Sequence, residues 1–232
     1  MSEAAVDGAI AALPLPADAR ILDTGCGSGE MVRRVLRLRP GACGVGIDID
    51  ADAIAEARRR GAGLRARFDV GDAATVEGTF DAVINVGSSH VHGGFPAALE
   101  ALRVLAPVVL YGEGFWRRPP AMDFLAALGG ATEDELSDVD GLRVAIGAAG
   151  FEILHESLAD DGDWTRYEET LADNAEHEGG PDSCAYARRI RERRALPGGT
   201  DTLGFGLFVL RRHQSGLDAM AEHGPARPPT QR

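Results

Sequence analysis

Apolar residues along this chain fall in short runs closed by glycine, proline or aspartate. Runs at residues 20–24 (RILDT), 42–49 (ACGVGIDI), 64–70, 79–85 (TFDAVIN), 107–111, 151–158 and 202–211 (TLGFGLFVLR) predict strands β1 to β7 in that order. Residues 4–13, 30–39, 52–60, 95–105 and 139–149 predict helices. Their stops are explicit: Pro14, Pro40-Gly41, Pro107 and Gly150. Asp50 and Asp52 compete as N-cap of the third helix. Strands alternating with helices predict a mostly parallel sheet covered on both faces. Ligands in such sheets bind beyond the carboxyl ends of the strands, so functional residues are expected just after β1 to β5.

Composition narrows the class. The chain has 232 residues, 44% hydrophobic and 26% charged, which suits one globular α/β domain. Residues 1–212 are read as that domain, and the polar, proline-rich residues 213–232 as a mobile tail. No apolar run approaches the ~20 residues that span a bilayer. The first residues carry acids and no base before Arg20, unlike a signal peptide, so a cytoplasmic location is expected. The three cysteines have no metal-ligand spacing, and neither a disulfide framework nor a metal site is expected. The net charge of −12 makes nucleic acid a poor partner, because phosphates need a basic surface. All the basic side chains are arginine apart from the histidines, as in proteins of GC-rich genomes.

The turn after β1 reads Asp23-Thr24-Gly25-Cys26-Gly27-Ser28-Gly29. A dinucleotide fingerprint needs G-x-G-x-x-G, but the sixth position is Glu30 counted from Gly25 and Val32 counted from Gly27. A phosphate-binding P-loop needs a lysine, and the chain has none. A nicotinamide-dependent oxidoreductase is thereby disfavoured. Asp48 ends β2, where a carboxylate is suited to accept from both ribose hydroxyls; Asp50 is its rival. Val70-Gly71-Asp72-Ala73 follows β3, Phe80-Asp81 opens β4, and Leu102-Arg103-Val104-Leu105 precedes Pro107.

Together these signals resemble the class I S-adenosylmethionine-dependent methyltransferases, whose first motif is [DE]-x-G-x-G-x-G. The resemblance spans residues 21–110 and implies a seven-stranded Rossmann-like sheet of order β3-β2-β1-β4-β5-β7-β6, with β7 antiparallel and helical lid insertions. It implies S-adenosylmethionine as cofactor, with S-adenosylhomocysteine as product. By the same resemblance Asp23 faces the cofactor's ammonium side, and Gly25, Cys26 and Gly27 wrap its carboxypropyl chain. Asp48 and neighbouring Ile49 hold the ribose, and Asp72 with Gly71 and Ala73 reads the adenine amino group. Asn85 and Gly87 follow β4 on the cofactor's methyl side. The family's usual glycines after Pro107 are replaced by Val108 and Val109, which leaves the geometry of that turn open.

The acceptor is less legible. The long segments 112–138 and 159–201 are expected to form the lid and acceptor pocket. The pairing of Gly87-Ser88-Ser89-His90 with Gly112-Glu113-Gly114-Phe115-Trp116 resembles a subgroup of small bacterial methyltransferases with no settled acceptor. The family's [ND]-P-P-[YF] amine signature is absent after β4. His90 and His92 are candidate bases because imidazole titrates near neutral pH, and Glu113 is a candidate base or binder of a cationic acceptor. Trp116, Trp164 and Tyr167 are candidate acceptor walls, or simply pins of the lid to the core. The arginine run 188–194 reads as a solvated helix face, and Asp160-Asp161-Gly162-Asp163 as a helix cap before Trp164. The expected reaction is methylation of a small molecule on oxygen or nitrogen. The alternatives are a cofactor-binding fold with non-methylating chemistry or binding alone, and a methyltransferase of protein or nucleic acid. The oligomeric state is open.

Overall fold

The computed structural model describes residues 1–213. Seven strands form one sheet: β1 (Arg20–Thr24), β2 (Cys43–Asp48), β3 (Ala66–Val70), β4 (Ala82–Val86), β5 (Val108–Trp116), β6 (Phe151–Leu158) and β7 (Leu203–Arg212). Their order is β3-β2-β1-β4-β5-β7-β6, as the resemblance implies. β1 to β5 pair in parallel, and β7 runs antiparallel between β5 and β6. The helices are α1 (Glu3–Ala12), α2 (Glu30–Leu38), α3 (Ala51–Arg60), α4 (Ala97–Leu105), α5 (Met122–Ala127), α6 (Val139–Ala148), α7 (Asp161–Glu178) and α8 (Pro181–Ala195). Among the described residues no helix is long and apolar enough to cross a membrane.

Side chains alternate across each strand, so the sheet feeds two cores. Ile21, Ile84, Leu110 and Leu207 pack on one face with Ile10 of α1 and Val32 and Val35 of α2. Leu22, Val83, Tyr111 and Phe208 pack on the other with Leu99 and Leu102 of α4 and Ile146 of α6. Asp50 is the N-cap of α3, accepting from the N–H groups of Asp52 at 2.9 Å and Ala53 at 3.0 Å, so the cap is Asp50 and Asp52 lies within the first turn. Asp160 caps α7 by accepting from Asp163 N–H at 2.7 Å, as its sequence suggested.

The observed β5 is longer than the sequence pattern indicated. It runs past Tyr111 to Trp116, because β7 pairs with it throughout, from Val108↔Arg211 to Trp116↔Leu203. Gly112-Glu113-Gly114 reads locally as a turn, yet a long antiparallel partner overrides that preference. The first lid segment therefore starts after Trp116 rather than at 112. Val108 and Val109, in place of the usual glycines, enter β5 directly and pair with Ala82 and Val83 of β4. The lid itself is helical: α5, α7 and α8 pack together. The tail expected at 213–232 lies outside the described residues except for His213, whose N–H donates to Gly150 O at 2.9 Å.

The arginine run is solvated as expected at Arg188, Arg189, Arg191 and Glu192, but not at its end. Arg193 of α8 is buried and ion-paired with buried Glu168 of α7. Arg191 bridges to Asp173 at 3.0 Å and Glu176 at 2.8 Å, and Arg194 to Glu169 at 3.1 Å. Helices rich in charge and poor in leucine thus join through carboxylate–guanidinium contacts around a small alanine-lined core.

Candidate cofactor and acceptor site

The turn after β1 is held against β2 by its backbone. Gly25 N–H donates to Ile47 O at 2.9 Å and Cys26 N–H to the same oxygen at 3.1 Å. Gly27 N–H donates to Asp48 Oδ2 at 2.7 Å, and Asp50 N–H to Asp48 Oδ1 at 3.0 Å. Each Asp48 oxygen thus accepts one backbone N–H and keeps a further lone pair. Gly25 must be glycine, since a Cβ there would lie 2.6 Å from Ser88 Cβ. Asp23 is buried beneath the turn; burial, and then the nearby charge of Asp48, push its carboxyl up to about 8. Burial likewise pushes the Cys26 thiol up, so it stays protonated and serves as packing.

At the end of β4 a buried polar knot ties the strand ends together. Asn85 donates its amide to Thr24 Oγ1 at 3.0 Å and to Ser88 O at 3.2 Å, while Ser88 Oγ donates to Thr24 O at 2.6 Å. Asn85 is fully buried, and its role in this geometry is to fix the turn that follows. That turn, a short 3-10 stretch over Ser89–His92, brings His90 and Val91 over the cavity described next.

A cavity of about 450 Å³ opens over the carboxyl ends of β1, β2, β3 and β4. Its walls include Gly25, Asp48, Ile49, Gly71, Asp72, Ala73, Gly87 and His90, all expected site residues, together with Val86, Ser88 and Val91, which were not. Asp23, Cys26, Gly27 and Asn85 stand behind this surface. Ile49, 77% exposed, lies beside Asp48 on the wall of this cavity. His92 is half-buried with Nε2 unpartnered; burial pushes its imidazole down, against the pull of Asp72.

A second cavity of about 200 Å³ adjoins it and shares Val86 and Gly87. It is walled by Met1 and Val6 from the N-terminal segment, Met31 of α2, Phe205 and Leu207 of β7, and Trp164 and Tyr167 of α7. Trp164 stacks on Phe205 with ring centroids 6.2 Å apart and lies 5.4 Å from the Tyr167 ring. The contributions of α1, α2 and β7 were missed in the sequence. Period-two alternation in β7 does put Phe205 and Leu207 on one face, but nothing local says that this face lines a pocket.

Three of the residues expected on the acceptor side line neither cavity: His92, Glu113 and Trp116. Glu113 shares a sheet face with Tyr111, whose hydroxyl donates to Glu113 Oε2 at 2.8 Å; Gly114 N–H donates to Oε1 at 3.0 Å. Burial and Glu113 together push the Tyr111 phenol up, so it remains a donor. Trp116 is buried against Phe124 of α5 and donates its indole N–H to Glu133 O at 2.8 Å. It pins the lid rather than lining a pocket. Among the described residues no group of three or more histidine, cysteine or acidic side chains is arranged to hold a metal ion.

The comparisons agree with this architecture. A family model described as a methyltransferase domain matches residues 21–108. An S-adenosylmethionine-dependent methyltransferase from Geobacter sulfurreducens, solved with S-adenosyl-L-homocysteine, superposes with a TM-score of 0.80 at 27% identity, covering 92% of each chain. A second, from Thiobacillus denitrificans and solved with the same molecule, gives 0.76 at 27% identity over 92% of each chain. The chain belongs to the class I S-adenosylmethionine-dependent methyltransferases. Within that class it sits beside the YjhP-like bacterial proteins. It is 33% identical over 208 residues to the uncharacterized protein YjhP of Escherichia coli K12, covering 82% of this chain and 84% of that one. The X-ray structure of YjhP superposes with a TM-score of 0.77 at 30% identity, over 92% of this chain and 94% of that one.

Proposed function

We propose that this chain holds S-adenosylmethionine in the larger cavity and methylates a small organic acceptor, on oxygen or nitrogen, seated in the smaller one. The observation that carries this reading is the meeting of the two cavities at Val86 and Gly87. The residues present fit the cofactor. Asp48 keeps one lone pair on each oxygen for the two ribose hydroxyls, and exposed Ile49 offers an apolar face to a flat base. Asp72 Oδ1 accepts Ala74 N–H at 2.9 Å, which leaves Oδ2 for an exocyclic amino group. Buried Asp23 faces an ammonium group. When bound, the cofactor supplies a methyl on a sulfonium centre, displaced in line by the acceptor's lone pair while the C–S bonding pair returns to sulfur.

The protein's share is alignment and exclusion of water. Trp164, Phe205, Met31 and Leu207 form an apolar wall that orients an uncharged reacting group. Tyr167 is the one phenol on that wall; burial pushes it up, so it acts as a donor and not as a base. A hydroxyl acceptor must lose a proton, and His90 on the neighbouring wall takes it. Glu113 holds Tyr111 from the far face instead. The net charge of −12 and the small second cavity support an enzyme acting on small molecules rather than on nucleic acid.

Gly87 tests the junction. A Cβ added there meets nothing within 4 Å, because it projects into open space, and the residue's φ of +69° is strained for any side chain. Gly87→Ala is expected to lower kcat about a hundredfold, the cost of a misplacement of ~1 Å between reacting groups. Turnover is read as formation of S-adenosylhomocysteine with a panel of phenols, amines and hydroxy acids. An unchanged kcat in the variant would mean that methyl transfer does not pass this residue.

A further inference from the structure

We infer that the methyl acceptor is an elongated molecule with an apolar reacting head in the 200 Å³ cavity and an oxyanion tail that Arg189 binds beneath the lid. This deepens the methyltransferase reading and rests on it. The 200 Å³ cavity is smaller than the ~300–1,000 Å³ of ordinary small-molecule sites. It has a neighbour across two of its aromatic walls. Trp164 and Tyr167 also line a third cavity of about 310 Å³ between the end of α5, α7, α8 and the start of β7. A ligand that fills only the first space would leave this adjoining one without a role.

The chemistry of the third cavity differs from that of the second. Tyr186, Glu168, Arg189 and Arg193 join the apolar lining. Glu168 is ion-paired with Arg193 and lies 3.9 Å from Arg194, so its charge is offset. The other arginines of α8 each have a carboxylate: Arg188 has Glu192 at 3.8 Å, Arg191 has Asp173 and Glu176, and Arg194 has Glu169. Arg189 is the exception among the arginines of α8. Its guanidinium lies over the face of the Tyr186 ring, 5.9 Å from the centroid, and among the described residues no carboxylate lies within ion-pair distance. The planar guanidinium fork matches a carboxylate or phosphate with two parallel hydrogen bonds. The Tyr186 ring holds that fork at the cavity wall, and Tyr167 and Trp164 are the residues that stand between it and the methyl junction, common to both cavities.

The test uses the full chain loaded with S-adenosylhomocysteine and titrated calorimetrically with 3-phenylpropanoate, 4-phenylbutanoate and 5-phenylpentanoate. Each is compared with its methyl ester and with the phenylalkyl phosphate of matching length. At least one acid or phosphate is expected to bind about tenfold more tightly than its neutral ester, the usual worth of a charge-assisted pair. Arg189→Gln should reduce that anion to the level of its ester, while Arg188→Gln leaves the preference intact. The better of acid and phosphate identifies the oxyanion. If every anion binds no better than its ester, including the case in which none binds, or if Arg189→Gln leaves the preference in place, the inference is overturned. S-adenosylhomocysteine binding reports separately on the methyltransferase reading: that reading stands if the cofactor still binds and fails if it does not.

Discussion

Asp48→Ala is expected to weaken S-adenosylhomocysteine binding by about ten- to a hundredfold, because hydrogen bonds to a charged group are worth about 1.5–3 kcal/mol. The carboxylate does two jobs. It accepts Gly27 N–H and Asp50 N–H, which fixes the glycine turn against the end of β2, and its remaining lone pairs face the cavity beside Ile49. Neighbouring Asp50 supplies the contrast. It caps α3, and Asp50→Ala should cost about 1 kcal/mol of stability with little change in affinity. Calorimetry on both variants, with urea denaturation alongside, separates the two roles. Equal loss of affinity in both would mean that the turn responds only to local stability and that Asp48 has no direct part in binding.

Arg193→Ala should be the most destabilising single change in the lid, at about 3–5 kcal/mol, the cost of stranding one partner of a buried pair. The Arg193 side chain is 8% exposed and that of Glu168 3%. The guanidinium also lies over Phe124 of α5, 5.6 Å from the ring centroid, so its loss loosens all three lid helices. Burial already pushes the Glu168 carboxyl up, while Arg193, then Arg194, oppose the shift. Without Arg193 the folded-state value rises further above the unfolded one. An acid raised in this way contributes stability that is full below its unfolded value and is lost as pH rises towards its folded value. The deficit of the variant should therefore shrink as the solution is acidified towards the model-carboxylate range. Joint replacement by Glu168→Leu and Arg193→Met should stay within about 1–2 kcal/mol of the native chain, since an apolar pair removes both desolvation costs. A deficit in Arg193→Ala that is small at neutral pH and independent of pH would show that the pair does not hold the lid.

Much of the cofactor half was legible in the sequence because it is local. A strand, a glycine turn and a helix in succession need only a few adjacent residues, so Asp23 through Gly29 and Gly44 through Asp48 were readable as units. The carboxylates that end β2 and β3 follow from the rule that parallel strands present their carboxyl ends to ligands. The acceptor half was not local. Its wall combines Met1 and Val6, Met31, Val86, Trp164 and Phe205, residues drawn from opposite ends of the chain. No spacing relates them; the sheet order does, by bringing β7 beside β5 and α1 against both β6 and β7. Glu113 was misjudged, while Trp116 took the second of its two readings, a pin of the lid to the core. The Gly112-Glu113-Gly114 stretch looks like a loop over the site, but pairing with β7 makes it strand and assigns Glu113 to the face of Tyr111. The arginine run was solvated as read except at Arg193. Helix periodicity registers charge as exposure, and it cannot register that Glu168 of a neighbouring helix neutralises Arg193 in the interior.

The most direct test of the account is calorimetric titration of the unaltered chain with S-adenosylhomocysteine in two buffers of different ionisation heat. The account predicts saturable binding of one ligand per chain. It also predicts proton release at pH 7, because Asp23, raised to about 8 in the protein alone, ionises when an ammonium group settles beside it. Folded protein that takes up no S-adenosylhomocysteine would contradict the assignment of the larger cavity, and with it the reaction proposed here.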